Sequence, residues 1–194
     1  MLEHLDQQLF LYINSHNSPF WDQVMYLVSG RLIWAPLYIA ILVWLGVKFK
    51  KKFYVLLLAV AVTIAVSDRL SVAIKNTVKR PRPCHEKQLE GRVHLVKGKC
   101  GGAYGFVSSH ATNSFTVALF SLLFIREKWF KWSMIIWATV IGFSRIYLGV
   151  HYPGDVICGS ILGILTGWGA YTVFQLVDRK YLSQSKYFST ATAK

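Results

Sequence analysis

Residues 144–155 read SRIYLGVHYPGD. If a helix begins near Tyr152, with Pro153 in its first turn where proline is tolerated, His151 and Asp155 stand about one helical turn apart and touch. A carboxylate on one imidazole nitrogen fixes the tautomer and leaves the other nitrogen free as a nucleophile or base. Ser144 and Arg145 precede the pair, and a guanidinium offers an anion a planar fork of donors. The plain alternative is a structural His–Asp pair closing a helix turn; the arginine and serine at fixed short spacing weigh against it.

Two further stretches carry related chemistry. KNTVKRPRP, Lys75 to Pro83, sets Lys75, Lys79, Arg80 and Arg82 where Pro81 and Pro83 stop a helix. Alone it reads as a basic patch for lipid headgroups. YGFVSSHATNSF, Tyr104 to Phe115, offers Ser108 as an N-cap. The amides of Ser109 and His110 then point out of the positive end of a helix, an arrangement that suits an anion. His110 stands at its mouth, although a capping serine pair beside an interfacial histidine explains the stretch equally well.

The elements that must position these residues belong to a membrane protein. Of 194 residues, 54% are hydrophobic and 16% charged, and mean hydropathy is +0.38, too apolar for an ordinary soluble domain of this length. Apolar runs near Leu32–Val47, Phe53–Ile74, Ser114–Ile125, Trp132–Tyr147 and Val156–Val177 predict an all-α bundle of about five transmembrane helices. Leu2, Leu5, Leu9 and Ile13 alternate with polar residues at helical spacing, so residues 1–18 are expected to form an amphipathic interfacial helix. The chain opens without the pattern of a cleaved signal peptide, and the whole of 1–194 is expected to be one domain.

Lys48, Lys50, Lys51, Lys52, Arg126, Lys128, Lys131, Arg179, Lys180 and Lys186 fall on one side of such a bundle, which the positive-inside rule makes cytoplasmic. Residues 178–194 form a cytoplasmic tail and 79–107 an extracytoplasmic loop that is itself basic. The net charge of +13 is therefore part topology and part a cationic outer face, with no nucleic-acid partner implied. All three motif stretches meet on that face. Together they offer cationic phosphate ligands, a helix N-terminus and two histidines, without a carboxylate cluster to hold Mg²⁺. That set points to metal-free phosphoryl transfer through a phosphohistidine.

The sequence resembles the type 2 phosphatidic acid phosphatase family, which shares its motifs with vanadium haloperoxidases and glucose-6-phosphatase. Lys, six residues, Arg-Pro is matched by Lys75, Arg82 and Pro83. Ser-Arg, five residues, His, three residues, Asp is matched by Ser144, Arg145, His151 and Asp155. Pro-Ser-Gly-His is matched at Ser108 and His110, with Val107 and Ser109 replacing proline and glycine.

The resemblance implies that His151 attacks phosphorus, Asp155 orients it and His110 protonates the leaving oxygen. Lys75, Arg82, Arg145, Ser108 and the Ser109 amide would bind phosphate, with Lys79, Arg80 and Ser144 as candidate supports and no cofactor or metal. It implies a lipid phosphate or pyrophosphate substrate, of phosphatidylglycerophosphate, undecaprenyl pyrophosphate or lipid A type. The expected location is a bacterial inner membrane, with the site facing the periplasm or exterior. A non-catalytic headgroup-binding or lipid-transporting protein would use the same basic face without needing His151 or its carboxylate.

Other residues carry expectations of their own. Cys84 and Cys100 share the outer loop and form a candidate disulfide in an oxidising compartment; free thiols, or a metal pair with His85 or His94, are the alternatives. Gly159, Gly163 and Gly167 recur every fourth residue, the spacing of close helix packing. Asp68 and Arg69 are expected to form a buried charge partnership, and Trp34, Trp44, Trp129 and Trp132 to anchor at the interface. The sequence leaves oligomeric state open.

Overall fold

The computed structural model describes residues 1–183; most of the predicted tail, residues 184–194 with Lys186, lies outside the described residues. Seven α-helices occur among those described: α1 (Leu2–Ser15), α2 (Pro19–Val28), α3 (Ala35–Phe49), α4 (Phe53–Val78), α5 (Ser109–Phe124), α6 (Lys128–Tyr147) and α7 (Pro153–Val177). The last five coincide with the five apolar runs. Each boundary has a local cause. Lys50, Lys51 and Lys52 form a tight turn, begun by Lys50 at φ 47°, that reverses the chain between α3 and α4. Ser108 caps α5 by accepting from the Ala111 amide, and Pro153 opens α7.

Two stretches, Leu32–Val78 and Pro153–Leu182, are long and apolar enough to cross a membrane by length and composition. Val47, Leu58, Val62, Ile161, Leu165 and Leu176 are exposed around the bundle, an apolar belt too extensive for a water-facing surface. The shorter α5 and α6 dilute their apolar runs with polar residues that turn inward. Thr112, Ser114, Thr116 and Ser121 of α5 are buried, each donating its hydroxyl to a carbonyl one turn back. Ser67, Thr116 and Thr166 also join α4, α5 and α7 through hydroxyl contacts of 2.9 and 2.8 Å. In a bilayer such bonds replace those that water would make.

The apolar core fills the end of the bundle away from the histidines, where Leu45, Leu56, Phe124, Phe130 and Met134 are buried together. Basic residues close that end. Lys48 donates to the last turn of α5 at the Phe124 carbonyl, 2.8 Å, and Lys52 pairs with Asp178 at 2.7 Å. Trp34 is no simple anchor: its Nε1 donates to the Val28 carbonyl and its ring meets Trp137 edge-on. Trp44 stacks on Trp129, while Trp132 is exposed. The expected Asp68–Arg69 partnership is not formed among the described residues. Asp68 accepts from Asn113 at 3.3 Å and Arg69 is exposed.

The glycine row of α7 brings the two motif-bearing helices together. A Cβ on Gly159 would lie 2.7 Å from the Ser108 carbonyl oxygen, one on Gly167 2.9 Å from that of Thr116, and one on Gly163 would overlap that of Thr112. These neighbours are backbone and cannot rotate away. Gly169, by contrast, has open space around it. Gly163→Ala is therefore expected to lower stability by about 1–3 kcal/mol through overpacking. Gly169→Ala should be neutral or gain up to about 1 kcal/mol from helix propensity. Thermal unfolding of both variants in detergent checks the contrast.

Candidate active site

The loop joining α4 to α5 presents its cations on a pinned frame. Pro81 and Tyr104 form an isolated antiparallel bridge, flanked by Arg82 N donating to the Ala103 carbonyl at 3.1 Å and Gly105 N to that of Arg80 at 2.9 Å. Beside it Cys84 and Cys100 are joined in a disulfide, their Cα atoms 6.0 Å apart, so their sulfurs are not available as metal ligands. In the chain-entropy model, closing this loop restrains the unfolded chain by about 3 kcal/mol.

That frame delivers Arg82 to His151. Arg82 Nη1 lies 3.1 Å from His151 Nε2 and 3.2 Å from the Val150 carbonyl. A guanidinium has only donors, so Nε2 must be the accepting, unprotonated nitrogen and Nδ1 carries the proton. Nδ1 faces Asp155 Oδ2 at 3.3 Å and the backbone of Gly105. The lone pair of Nε2 therefore points at Arg82. Burial, reinforced by the charges of Arg82, Arg145 and Lys75, holds the His151 pKa well below the usual histidine value.

Asp155, also buried, is held on both oxygens. Oδ2 accepts from the Tyr152 amide at 3.1 Å and Oδ1 from Arg80 Nη1 at 3.0 Å. Its backbone carbonyl accepts from Ser108 N at 2.9 Å, tying α7 to the start of α5. Gly105 is needed at this point because a Cβ there would stand 2.9 Å from Asp155 Oδ2.

The remaining ligands surround the same space. Lys75, at the end of α4, donates to Ser109 Oγ, which also contacts Ser71 Oγ at 2.7 Å. Arg145 donates to Ser29 Oγ, and its own carbonyl accepts from the Val150 and His151 amides at 3.2 Å each. Arg82 Nε and Arg145 Nε are buried and have no hydrogen-bond partner among the described residues. Buried cationic donors in that state cost free energy unless an anion supplies the acceptors. His110 stands in the first turn of α5, within the field of the Arg145 and Arg82 guanidinium groups.

The N-terminal helix closes the pocket from outside. Asp6 accepts from Arg80 at 2.8 Å and from the Gly154 amide at 2.8 Å; Arg80 also lies 4.1 Å above the Tyr152 ring. Buried Asn14 donates to the carbonyls of His94 and Tyr147 at 2.9 and 2.8 Å and accepts from His94 N at 2.8 Å. His94 in turn meets both oxygens of Asp22 on α2, each at 3.0 Å. Helix α1 thus presents two faces, with Phe10 and Asn14 fully buried and Leu2, Leu5 and Leu9 exposed.

Residues 53–179 match the PAP2 superfamily model. The chain belongs to the PAP2 superfamily. Among PAP2 proteins, one named lipid A 4'-phosphatase from Bacteroides thetaiotaomicron is 38% identical over 175 residues, covering 89% of this chain and 78% of that protein. Another of the same name from Porphyromonas gingivalis is 34% identical, covering 93% and 78%. The solved transmembrane PAP2 type phosphatidylglycerolphosphate phosphatase from Bacillus subtilis superposes with a TM-score of 0.72 at 21% identity, covering 92% of this chain and 89% of that one. At that identity the likeness is one of fold, and the fold is that of a membrane-embedded helical bundle.

Within this PAP2 bundle the structure gathers Lys75, Arg80, Arg82, Ser108, Ser109, His110, Arg145, His151 and Asp155 at one end. Lys79 and Ser144, expected as supports, play other parts. Lys79 is the exposed, left-handed cap of α4, and Ser144 is buried with its hydroxyl on the Ile141 carbonyl. Asp6, Asn14, Ser29, Ser71 and Gly105 were not foreseen. Each acts across a long sequence separation through a common polar or small residue type, and no local pattern marks it.

Two measurements probe this arrangement. Because burial, and then the neighbouring cations, depress the His151 pKa, the acid limb of kcat/KM should lie below pH 6.5; removing one cation in Arg82→Gln raises that pKa, so the limb should move to higher pH as activity falls. Asp6→Ala leaves Arg80 and the Gly154 amide short of an acceptor, and a small misplacement of Asp155 should lower kcat by roughly 10- to 100-fold. Asp6→Glu should recover part of that loss, whereas a purely structural helix contact would show in thermal stability and not in this rescue.

Proposed function

We propose that the chain is a lipid-phosphate phosphatase working through a phosphohistidine, with a phosphorylated lipid of the lipid A class as its substrate. The single observation carrying the mechanism is the His151 tautomer: Arg82 can only donate to Nε2, so the unprotonated nitrogen is the one turned toward the pocket, where Arg82 Nε and Arg145 Nε have no partner among the described residues. The substrate class rests on the two relatives named lipid A 4'-phosphatase, each of which this chain covers over more than three quarters of its length.

In the first step Arg82 passes its hydrogen bond from Nε2 to a phosphate oxygen, the freed Nε2 lone pair of His151 forms a bond to phosphorus as the bond to the leaving oxygen breaks, and His110 transfers a proton to that oxygen. Lys75, Arg82 and Arg145, with the Ser108 hydroxyl and the Ser109 amide, balance charge on the equatorial oxygens. Asp155 stabilises the imidazole as it becomes cationic. In the second step His110 takes a proton from water, the water oxygen bonds to phosphorus, the N–P bond breaks, and inorganic phosphate leaves with His151 restored. No step requires a metal.

The bundle would lie in a cytoplasmic membrane as five spans, α3 to α7, with its basic end toward the cytoplasm and residues 79–107 and the active site outside. The Cys84–Cys100 disulfide supports an oxidising location for that loop. The exposed Leu2, Leu5 and Leu9 of α1 would enter the headgroup boundary beside the site.

The test is phosphate release by detergent-solubilised protein from lipid A, phosphatidylglycerophosphate and undecaprenyl pyrophosphate. Lipid A is expected to be the best substrate, with turnover unchanged by EDTA. His110→Ala should lower kcat by about 10²- to 10⁴-fold, and His151→Ala should abolish both turnover and an acid-labile phosphoprotein seen on rapid quenching. Full activity in His151→Ala, or loss with EDTA, rejects the mechanism; preference for another lipid rejects the substrate assignment.

A further inference from the structure

A cavity of about 390 Å³ runs inside the bundle between α3, α4, α5 and α6, and phosphoryl transfer does not use it. Its outer end is formed by Ser29, Gly30 and Arg31, and Ser29 accepts from the guanidinium of Arg145. His110 forms part of its wall, so the cavity starts at the group assigned to the leaving oxygen. From His110 the lining follows α5 to Ser121, a descent of about 16 Å at the α-helical rise. The opposite walls carry Trp34, Tyr38, Leu42 and Leu45 of α3, Val60 and Ile64 of α4, and Ile141 of α6.

The polar residues in this wall do not ask for water. Thr63, Ser114 and Ser121 donate to carbonyls of their own helices at 2.6, 3.1 and 2.7 Å. Asn113 and Thr116 bond to Asp68, Ser67 and Thr166. Apart from the Tyr38 hydroxyl and the residues Ser29, Arg31 and His110, the remaining lining is predominantly aliphatic and aromatic, and an apolar cavity is filled favourably by hydrocarbon.

We propose that this cavity holds the substrate's own hydrocarbon chain, entering past Arg31 and His110 and lying along α5 while the phosphate sits on His151. The assignment rests on the lipid-phosphatase reading above. It is carried by continuity: one histidine belongs both to the phosphate pocket and to the wall of a largely apolar, chain-length cavity. Arg31, exposed at the mouth, would meet the polar part of the lipid between phosphate and chain.

Two measurements test it. With wild-type protein, kcat/KM should rise from ethyl phosphate to dodecyl phosphate. Val117→Phe and Ile64→Trp, which narrow the cavity from different helices, should each lower kcat/KM for dodecyl phosphate by about ten-fold while leaving ethyl phosphate unchanged, because remote binding energy is then lost. Equal rates for both substrates in all three proteins, or equal losses on both, overturn the cavity assignment. Failure to hydrolyse any lipid phosphate instead overturns the functional reading.

The second measurement needs no variant. An alkyl phosphate with a diazirine at the chain end should photolabel wild-type Leu45, Val117, Phe120 or Ile141, and the equivalent unphosphorylated alcohol should not. Labelling confined to the outward residues Ile157 and Ile161, or equal labelling by the alcohol, means that the chain stays in the surrounding lipid or that any lipid fills the cavity; either result overturns the proposal.

Discussion

Asp155 is the interaction on which the histidine-bearing end of this protein depends. A carboxylate buried to this degree is tolerated only if its oxygens are well supplied with donors. Here the donors come from His151, the Tyr152 amide and Arg80, while the backbone of the same residue receives the Ser108 amide. One residue thereby connects the proposed nucleophile, the start of α7, the basic loop and the cap of α5. Arg80 extends this set to α1 through Asp6. The site is consequently built from four separate segments of chain, α1, the basic loop, the start of α5 and the start of α7, drawn together around Asp155.

Packing makes that convergence possible. Asp155 can meet Ser108 because the glycines of α7 let its backbone rest almost directly on α5, with no side chain between them. In a bilayer, where lipid tails are as apolar as leucine, such close approach and the hydroxyl contacts across α4, α5 and α7 take over much of the work that hydrophobic burial does in water. The large aromatic core lies at the other end, toward the lysines, so rigidity and chemistry are separated along the bundle axis.

The VSSH stretch shows how a departure from a family pattern can be accommodated. Where the PAP2 pattern has glycine, the Ser109 hydroxyl contacts both Lys75 and Ser71. The added side chain thereby engages the Lys75 ammonium. Ser71 lies one turn before Lys75 on the same helix face, so the serine is integrated into the α4 surface. The buried Val107 fills the neighbouring proline position with comparable apolar volume.

Much of the fold was legible because hydropathy is local. The five apolar runs became α3 to α7, Ser108 and Pro153 marked helix starts, and the four-residue glycine spacing predicted a packed face. The motif chemistry was legible too, since His151, Asp155, Arg145, Lys75 and Arg82 stand at spacings that a helix or a short loop turns into neighbours. The sequence by itself therefore determined the membrane bundle, its family and the residue types at the end that carries the motifs. Only the tertiary structure decided which of those residues hold one another. Lys79 and Arg80 are adjacent, yet one caps a helix in water-facing exposure while the other bridges Asp6 and Asp155. Likewise nothing local distinguishes Asp6, Asn14 or Ser29 from ordinary surface residues. Their roles come from pairing with partners more than 70 residues away, and such pairings are settled by which helices pack, a property of the whole chain and not of any stretch within it.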